Sequence, residues 1–337
     1  LNYDKKIYSK SHEDNILIFT PDDSQSKKRV YNYNQRGNLR YSFLTSYNNS
    51  VTIIDFLILS SQNSFCVVTD NGNTLNLDIY LPGSSGSFPL ETNTSTTVRQ
   101  PTLSLQKQNA NINGRNFFMK EIINGSATTI LIIYFNNNRN ITILTTDLTG
   151  NQFIETTLTN QDVDEIVDVI VFGNDIFLVT NNQNESSRIS KLLFNPTSLN
   201  NNVSVNTIRG FSDSTNEYKI LFARKHHYID TNEEKSIVIL YEFGETGNKT
   251  FKISSLDLTL NSTYTTINLY ENNTSQEPQI DTTTIKKFMV KRQRLLILWN
   301  DSAQDLDFLN SYNLSWNNSN SKVDNILLVH SDNYLDT

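Results

Sequence analysis

A single cysteine in 337 residues leaves no partner for an intrachain disulfide, so burial has to hold the fold together. A chain of this length can supply it, having interior enough for one large β domain or two ordinary ones. Cys66 stands in the run 64–69, SFCVVT, the setting of a small buried hydrophobe rather than a reactive thiol. Alanine is scarce and glycine and proline number only 11 and 6, which leaves little material for good helices beside the many Asn, Ser, Thr, Ile, Phe and Tyr residues. That bias also matches AT-rich coding DNA. No apolar run approaches the roughly 20 residues that cross a bilayer, so no membrane span is expected within the chain. Positive charge is in deficit: 28 basic residues face 35 acidic ones, for a net charge of −7 and a pI near 5.2. A nucleic-acid or anionic-lipid partner needs a dense basic face, and none is expected. Glycine-rich phosphate loops, nucleophile elbows and Cys–His arrangements are likewise missing, and no cofactor is expected.

What the sequence does contain is a recurring three-part phrase. A wholly apolar run is followed by a tight polar turn and then by a run alternating apolar and polar residues. The clearest copy is 52–59 (TIIDFLIL), 64–69 (SFCVVT), the turn 70–73 (DNGN) and 75–81 (LNLDIYL). A strand buried on both faces is apolar throughout, whereas a half-exposed strand alternates with period two. Comparable groups recur at 16–44, at 102–158, more loosely over 102–123 and strongly over 128–158, and at 166–194, 218–258 and 285–329, with starts roughly 40 to 65 residues apart, a spacing associated with propeller blades. Asn71-Gly72 and Gly173-Asn174-Asp175 supply hairpin chemistry between such runs. An open sheet of so many strands would expose long edges, and radial repetition hides them. The expected fold is therefore all-β, a β-propeller of six or seven blades in a single domain over 1–337, with tandem β-sandwich domains as the alternative. The proline-bounded segment 82–101 lacks periodicity and reads as a long exposed loop.

Asn-x-Ser/Thr triplets occur at Asn48, Asn93, Asn124, Asn140, Asn184, Asn202, Asn248, Asn261, Asn272, Asn273, Asn300, Asn313 and Asn317, making each a glycosylation candidate. Chance alone gives about ten in so Asn- and Thr-rich a chain. The chain opens at Leu1 rather than Met, as a processed chain or a piece of a longer one would. With the polar surface, these features favour an extracellular or cell-surface glycoprotein over an intracellular protein.

Chemistry-bearing residues are few. His226 and His227 follow Arg224 and Lys225; neighbours on a strand point to opposite faces, so the pair reads as a basic surface corner and not a metal site. Asp162, Asp164 and Glu165 form one acidic cluster, and Asp301, Asp305 and Asp307 another. The second offers the closest approach to a calcium loop, yet neither has the glycine that turns such a loop around its ion, and no metal is assigned. The run 286–294 (KKFMVKRQR) alternates base with apolar residues, as a strand with a basic outer face does. Asp55 and Asp168 interrupt otherwise apolar runs at similar positions, TIIDFLIL and EIVDVIVF. Buried acids need partners or a purpose. A hydrogen bond repeated by fold symmetry accounts for them best, and paired carboxylates of a carbohydrate-active hydrolase are the catalytic alternative. The reading that follows is a non-enzymatic binding or assembly module, with a surface-coat or filament subunit as a special case. Its partners are other proteins or copies of itself, with glycans a further class.

Overall fold

The computed structural model of the chain describes residues 7–330 apart from 13, 61–62, 71–73, 84–85, 92–94, 111, 126, 137–139, 150–151, 160–161, 184–185, 194–202, 213–215, 227–235, 246–247, 259–261, 269–283, 292–293, 302–305 and 314–322. Among the described residues there are six sheets and no α-helix. The hairpin turn expected at Asn71-Gly72 lies outside them.

The first sheet contains β1 (Tyr8–His12), β2 (Asn15–Asp22), β3 (Lys27–Tyr33) and β4 (Leu39–Asn48). The second begins with β5 (Ile53–Ile58), β6 (Phe65–Asp70) and β7 (Thr74–Tyr80); the chain then lends a two-residue strand, β8 (Val98–Arg99), to the first sheet before β9 (Leu103–Gln108) completes the second. The third comprises β10 (Ile112–Asn124), β11 (Ala127–Asn136), β12 (Ile141–Asp147) and β13 (Ile154–Leu158). The fourth comprises β14 (Val163–Phe172), β15 (Asp175–Asn182), β16 (Ser186–Leu193) and β17 (Ser204–Phe211). The fifth comprises β18 (Glu217–His226), β19 (Ser236–Glu245), β20 (Asn248–Asp257) and β21 (Ser262–Asn268). The sixth comprises β22 (Ile285–Lys291), β23 (Arg294–Asp301), β24 (Leu306–Asn313) and β25 (Val323–His330). Apart from β8, strands pair antiparallel in chain order. This succession of four-stranded meanders is the β-propeller pattern, and the sheets are its blades. Two compact units share them, one built on residues 1–160 and the other on 161–194 and 202–336.

Within each unit the middle sheet is buried on both faces. In the first, Phe65 and Val67 of β6 pack against Leu17, Phe19, Val30 and Phe43 of the first sheet, while Cys66 and Val68 pack against Ile130, Ile132 and Tyr134 of the third. In the second unit, Ile237 and Ile239 face the fourth sheet, and Val238 and Leu240 face Leu295, Ile297 and Trp299 of the sixth. A side-chain period of two thus delivers alternate residues of one apolar run to two cores. Full burial of each such Val, Leu, Ile or Phe contributes about 1.5–3 kcal/mol.

Segment 82–101 is less free than its composition implies. Leu90 is exposed, but Phe88 is 4% exposed and packs into the first core, within 4.8 Å of the Tyr41 ring centroid and 5.3 Å of the Phe43 one. Ser42 and Glu91 exchange bonds, Glu91 N–H to Ser42 O at 2.9 Å and Ser42 Oγ to Glu91 O at 2.6 Å. Val98 and Arg99 pair with Leu44 and Thr45. The segment is largely exposed, as expected, but an aromatic plug and backbone pairing anchor it as a strap from the second sheet across the outer edge of the first. It also separates β9 from β7 in sequence, so 103–108 belongs to the second sheet and not the third. The two-residue turn after β14 is as tight as expected, with Phe172 paired to Asp175 and Gly173 at φ +58°, a conformation glycine adopts without strain.

Successive sheets within a unit meet along their first strands: β1 lies against β5, β5 against β10, β14 against β18, and β18 against β22. Four of these strands break register, between Ile53 and Asp55, Ile166 and Asp168, Ile220 and Phe222, and Ile285 and Lys287, β14 having a second break between Val163 and Glu165. A bulge inserts one unpaired residue and re-aims its neighbour. Here the re-aimed residues include both acids singled out in the sequence.

Candidate functional site

One chain of polar side chains in the first unit runs along this line of first strands. On β1 the alternation YSKSH turns Lys10 and His12 the same way. Lys10 Nζ donates to Asp55 Oδ1 at 2.5 Å and to Phe56 O at 2.8 Å, and sits 5.6 Å from the Phe56 ring centroid. Asp55 Oδ1 also accepts the Phe56 N–H at 2.9 Å. Just beyond β5, Ser60 gives its N–H to both carboxylate oxygens of Glu121, at 3.1 and 2.9 Å, and its hydroxyl to Oε2 at 2.7 Å. His12 Nε2 lies 3.1 Å from Ser60 Oγ. Three consecutive sheets are thereby linked through Lys10, His12, Asp55, Ser60 and Glu121.

The second unit repeats the device with other residues. Asp168 Oδ1 accepts its neighbour's N–H, from Val169, at 2.7 Å, while Oδ2 accepts from Arg224 Nη1 of β18 at 3.0 Å. Arg224 Nε reaches on to Phe288 O of β22 at 3.1 Å, so one guanidinium ties three first strands. Lys225 turns the opposite way, donating to Val171 O at 3.0 Å and lying 4.6 Å from the Phe172 ring centroid; burial pulls its ammonium below the ordinary lysine range. His226 is 1% exposed and its carbonyl accepts from Ser236 Oγ. The basic surface corner expected here is corrected for Lys225 and His226, which are drawn inward, while Arg224 keeps part of its side chain exposed. His227 lies outside the described residues.

Asp307 is engaged by an ammonium rather than left open to an ion. Asp307 is fully buried, and both its oxygens accept from Lys286 Nζ at 2.8 Å, with Asn300 Nδ2 adding a bond to Oδ1 at 2.8 Å. Burial alone would raise its pKa, but the bonds from Lys286 and Asn300 outweigh that and hold the carboxyl below its ordinary value. Asp307 is thus engaged by an ammonium, which corrects its candidacy as a calcium ligand. Lys286 stays exposed on its strand while its ammonium reaches in to Asp307. Asp305 lies outside the described residues, as do the sequon asparagines Asn93, Asn184, Asn202, Asn261, Asn272, Asn273 and Asn317. Among the described residues no cluster of three or more metal-ligating side chains forms. Cys66 is fully buried with its Sγ 3.6 Å from Met119 Sδ, and burial pushes the thiol well up.

These arrangements position backbone and charge rather than activate a nucleophile. Ser60 presents both its amide and its hydroxyl to one carboxylate, so the N–H that could support a developing oxyanion is already engaged. Asp55 and Asp168 belong to separate ion pairs in separate units. The sequence marked the two acids through the shared Ile-x-Asp spacing, but their cations and the Ser60–Glu121 clamp left no signal, because they depend on which first strands become neighbours.

No protein-family model matches the chain, and no curated protein matches it. Solved structures do resemble it. The polysaccharide lyase Uly1 is 8% identical with a TM-score of 0.51, covering 96% of this chain and 81% of that one. The WD40 domain of Toxoplasma gondii coronin is 9% identical, with a TM-score of 0.47 and coverage of 96% and 76%. SapL1 lectin in complex with alpha methyl fucoside is 12% identical, with a TM-score of 0.40 and coverage of 74% and 75%. At such identities the likeness is one of fold.

Proposed function

We propose that this chain is a non-enzymatic binding or assembly module, secreted or displayed at a cell surface, whose partners are other proteins or copies of itself, and glycans as a further class. A subunit of a surface coat or filament is the special case. The observation that carries the reading is the state of Asp55 and Asp168. These are the acids best placed in sequence for carboxylate catalysis, and each is held by a cation from a neighbouring first strand and by its own neighbour's N–H. A general acid or nucleophile needs a carboxyl facing its substrate at a controlled protonation state; a cross-sheet staple needs the ion pair seen. The sequons, slightly more numerous than chance gives, are compatible with the secretory compartment.

Sedimentation velocity over a hundredfold range of concentration tests the assembly role, and binding to a glycan array tests the third partner class. Concentration-dependent association or selective glycan binding is expected, unchanged in kind when both acids become asparagine. A chain that hydrolyses a polysaccharide and loses that activity only in the Asp55→Asn, Asp168→Asn double variant would replace this reading with the hydrolase one.

A further inference from the structure

The sequons are not equivalent once the chain is folded, and two described ones are opposites. Asn48 is exposed at the end of β4, where Val51 N–H bonds back to Asn48 O at 3.0 Å and closes a turn over 48–51. Lys27 Nζ lies 3.1 Å from its side-chain oxygen. An ammonium can only donate, so the amide presents Oδ1 to it, which leaves Nδ2, the arm a glycan would take, uninvolved in that bond on an exposed residue. Ser50, the third residue of the triplet, is exposed too.

Asn300 has the reverse geometry. It sits within β23, half-buried, and faces the fully buried Asp307 carboxylate at 2.8 Å. A carboxylate only accepts, so here Nδ2 points inward. Its backbone is held as well, the carbonyl accepting from Thr284 Oγ1 at 2.5 Å.

We propose that Asn48 is an N-glycan acceptor that the fold tolerates, and that Asn300 is a sequon the fold refuses. This rests on the secretory reading above. In the transfer, Nδ2 bonds to the anomeric carbon of a lipid-diphosphate-linked oligosaccharide, the carbon–oxygen bond to the lipid diphosphate breaks, the lipid diphosphate leaves with that electron pair, and Nδ2 gives up one proton. Transfer takes place on the extended chain, so the fold acts afterwards. A glycan on Asn48 projects into solvent with the Lys27 bond intact, whereas one on Asn300 displaces a donor from a buried carboxylate and disfavours the modified chain.

The full chain is expressed behind a cleavable leader in a secreting eukaryotic cell, and occupancy is read site by site by mass spectrometry on the secreted pool. Asn48 is expected to exceed Asn300 in occupancy by about tenfold, the factor matching the low end of the cost of orphaning a buried acceptor. Ser50→Ala is expected to remove one glycan and leave the thermal midpoint of the deglycosylated protein unchanged, and Asn300→Gln to leave the secreted mass pattern unchanged. An empty Asn48, or equal occupancy at the two positions, overturns the assignment. Native material without glycans, alongside an occupied Asn48 in the secreting cell, sinks the secretory reading and leaves the acceptor assignment standing.

Discussion

Single residues decide how this chain responds to pH. Asp307 has a carboxyl held below its ordinary value because Lys286 and Asn300 outweigh burial, and Asp22 behaves alike, burial being outweighed by bonds from Ser24 and Arg29. An acid whose folded pKa is depressed adds stability above its unfolded pKa of about 3.9, and loses it as the pH falls through the lower folded value. Acid titration of the unfolding free energy should therefore fall below about pH 4, and Asp307→Asn should flatten that limb while lowering stability near neutrality by about 1–3 kcal/mol. A limb of unchanged slope in the variant would show that Asp307 is not responsible. Lys28 has the opposite sense. It is 2% exposed, with Asn49 O at 3.0 Å and the Tyr8 ring centroid at 5.5 Å, and burial pulls its pKa down. Between its folded and unfolded pKa values the unfolded chain binds more protons, so stability rises with pH there. Lys28→Met is expected to be neutral or stabilising by up to about 1 kcal/mol at neutral pH, read from denaturant midpoints; a clear loss would show that the carbonyl and ring contacts outweigh the buried charge. Nothing in the local run KKRV marks Lys28 as the buried cation of the pair.

At the level of elements, legibility followed periodicity. The middle strands β6, β11, β15, β19 and β23 were readable because two packed faces force an unbroken apolar run. The Ile-x-Asp echo was readable because the bulge recurs in several first strands. β1 went unread, since YSKSH carries only Tyr8 toward the core and alternates serine with charge. The strap went unread because one phenylalanine among serines, threonines and prolines has no period, and its anchorage is tertiary. Phe88→Ala should cost about 3–5 kcal/mol and speed hydrogen exchange at Leu44 and Thr45, which pair with Val98 and Arg99. Unaltered exchange there would mean that the backbone pairing holds without the plug. Asp168→Asn or Arg224→Ala should each loosen the join of β14 to β18, and their double variant should lose less than the sum, because both remove the same ion pair.

For the whole molecule, fold class was the most legible property and function the least. All-β propeller architecture follows from composition, period and the need to hide edges, and these are averaged over hundreds of residues. Partner choice resides in a few side chains that have no period. Net charge, however, is a property of the entire chain with a direct consequence. At −7 copies repel one another weakly at neutral pH, and near pH 5.2 that repulsion vanishes. Light scattering of the purified chain should peak near that pH and fall on either side; a flat profile would mean that association is governed by specific contacts instead of charge. If copies do grow into an array by strand pairing, the strap bears on how. β8 already occupies ladder positions on β4 at Leu44 and Thr45, so a foreign strand arriving at that rim must first evict a resident one. Polymer growth through this rim would begin with a lag, and shortening the resident segment would abolish the delay.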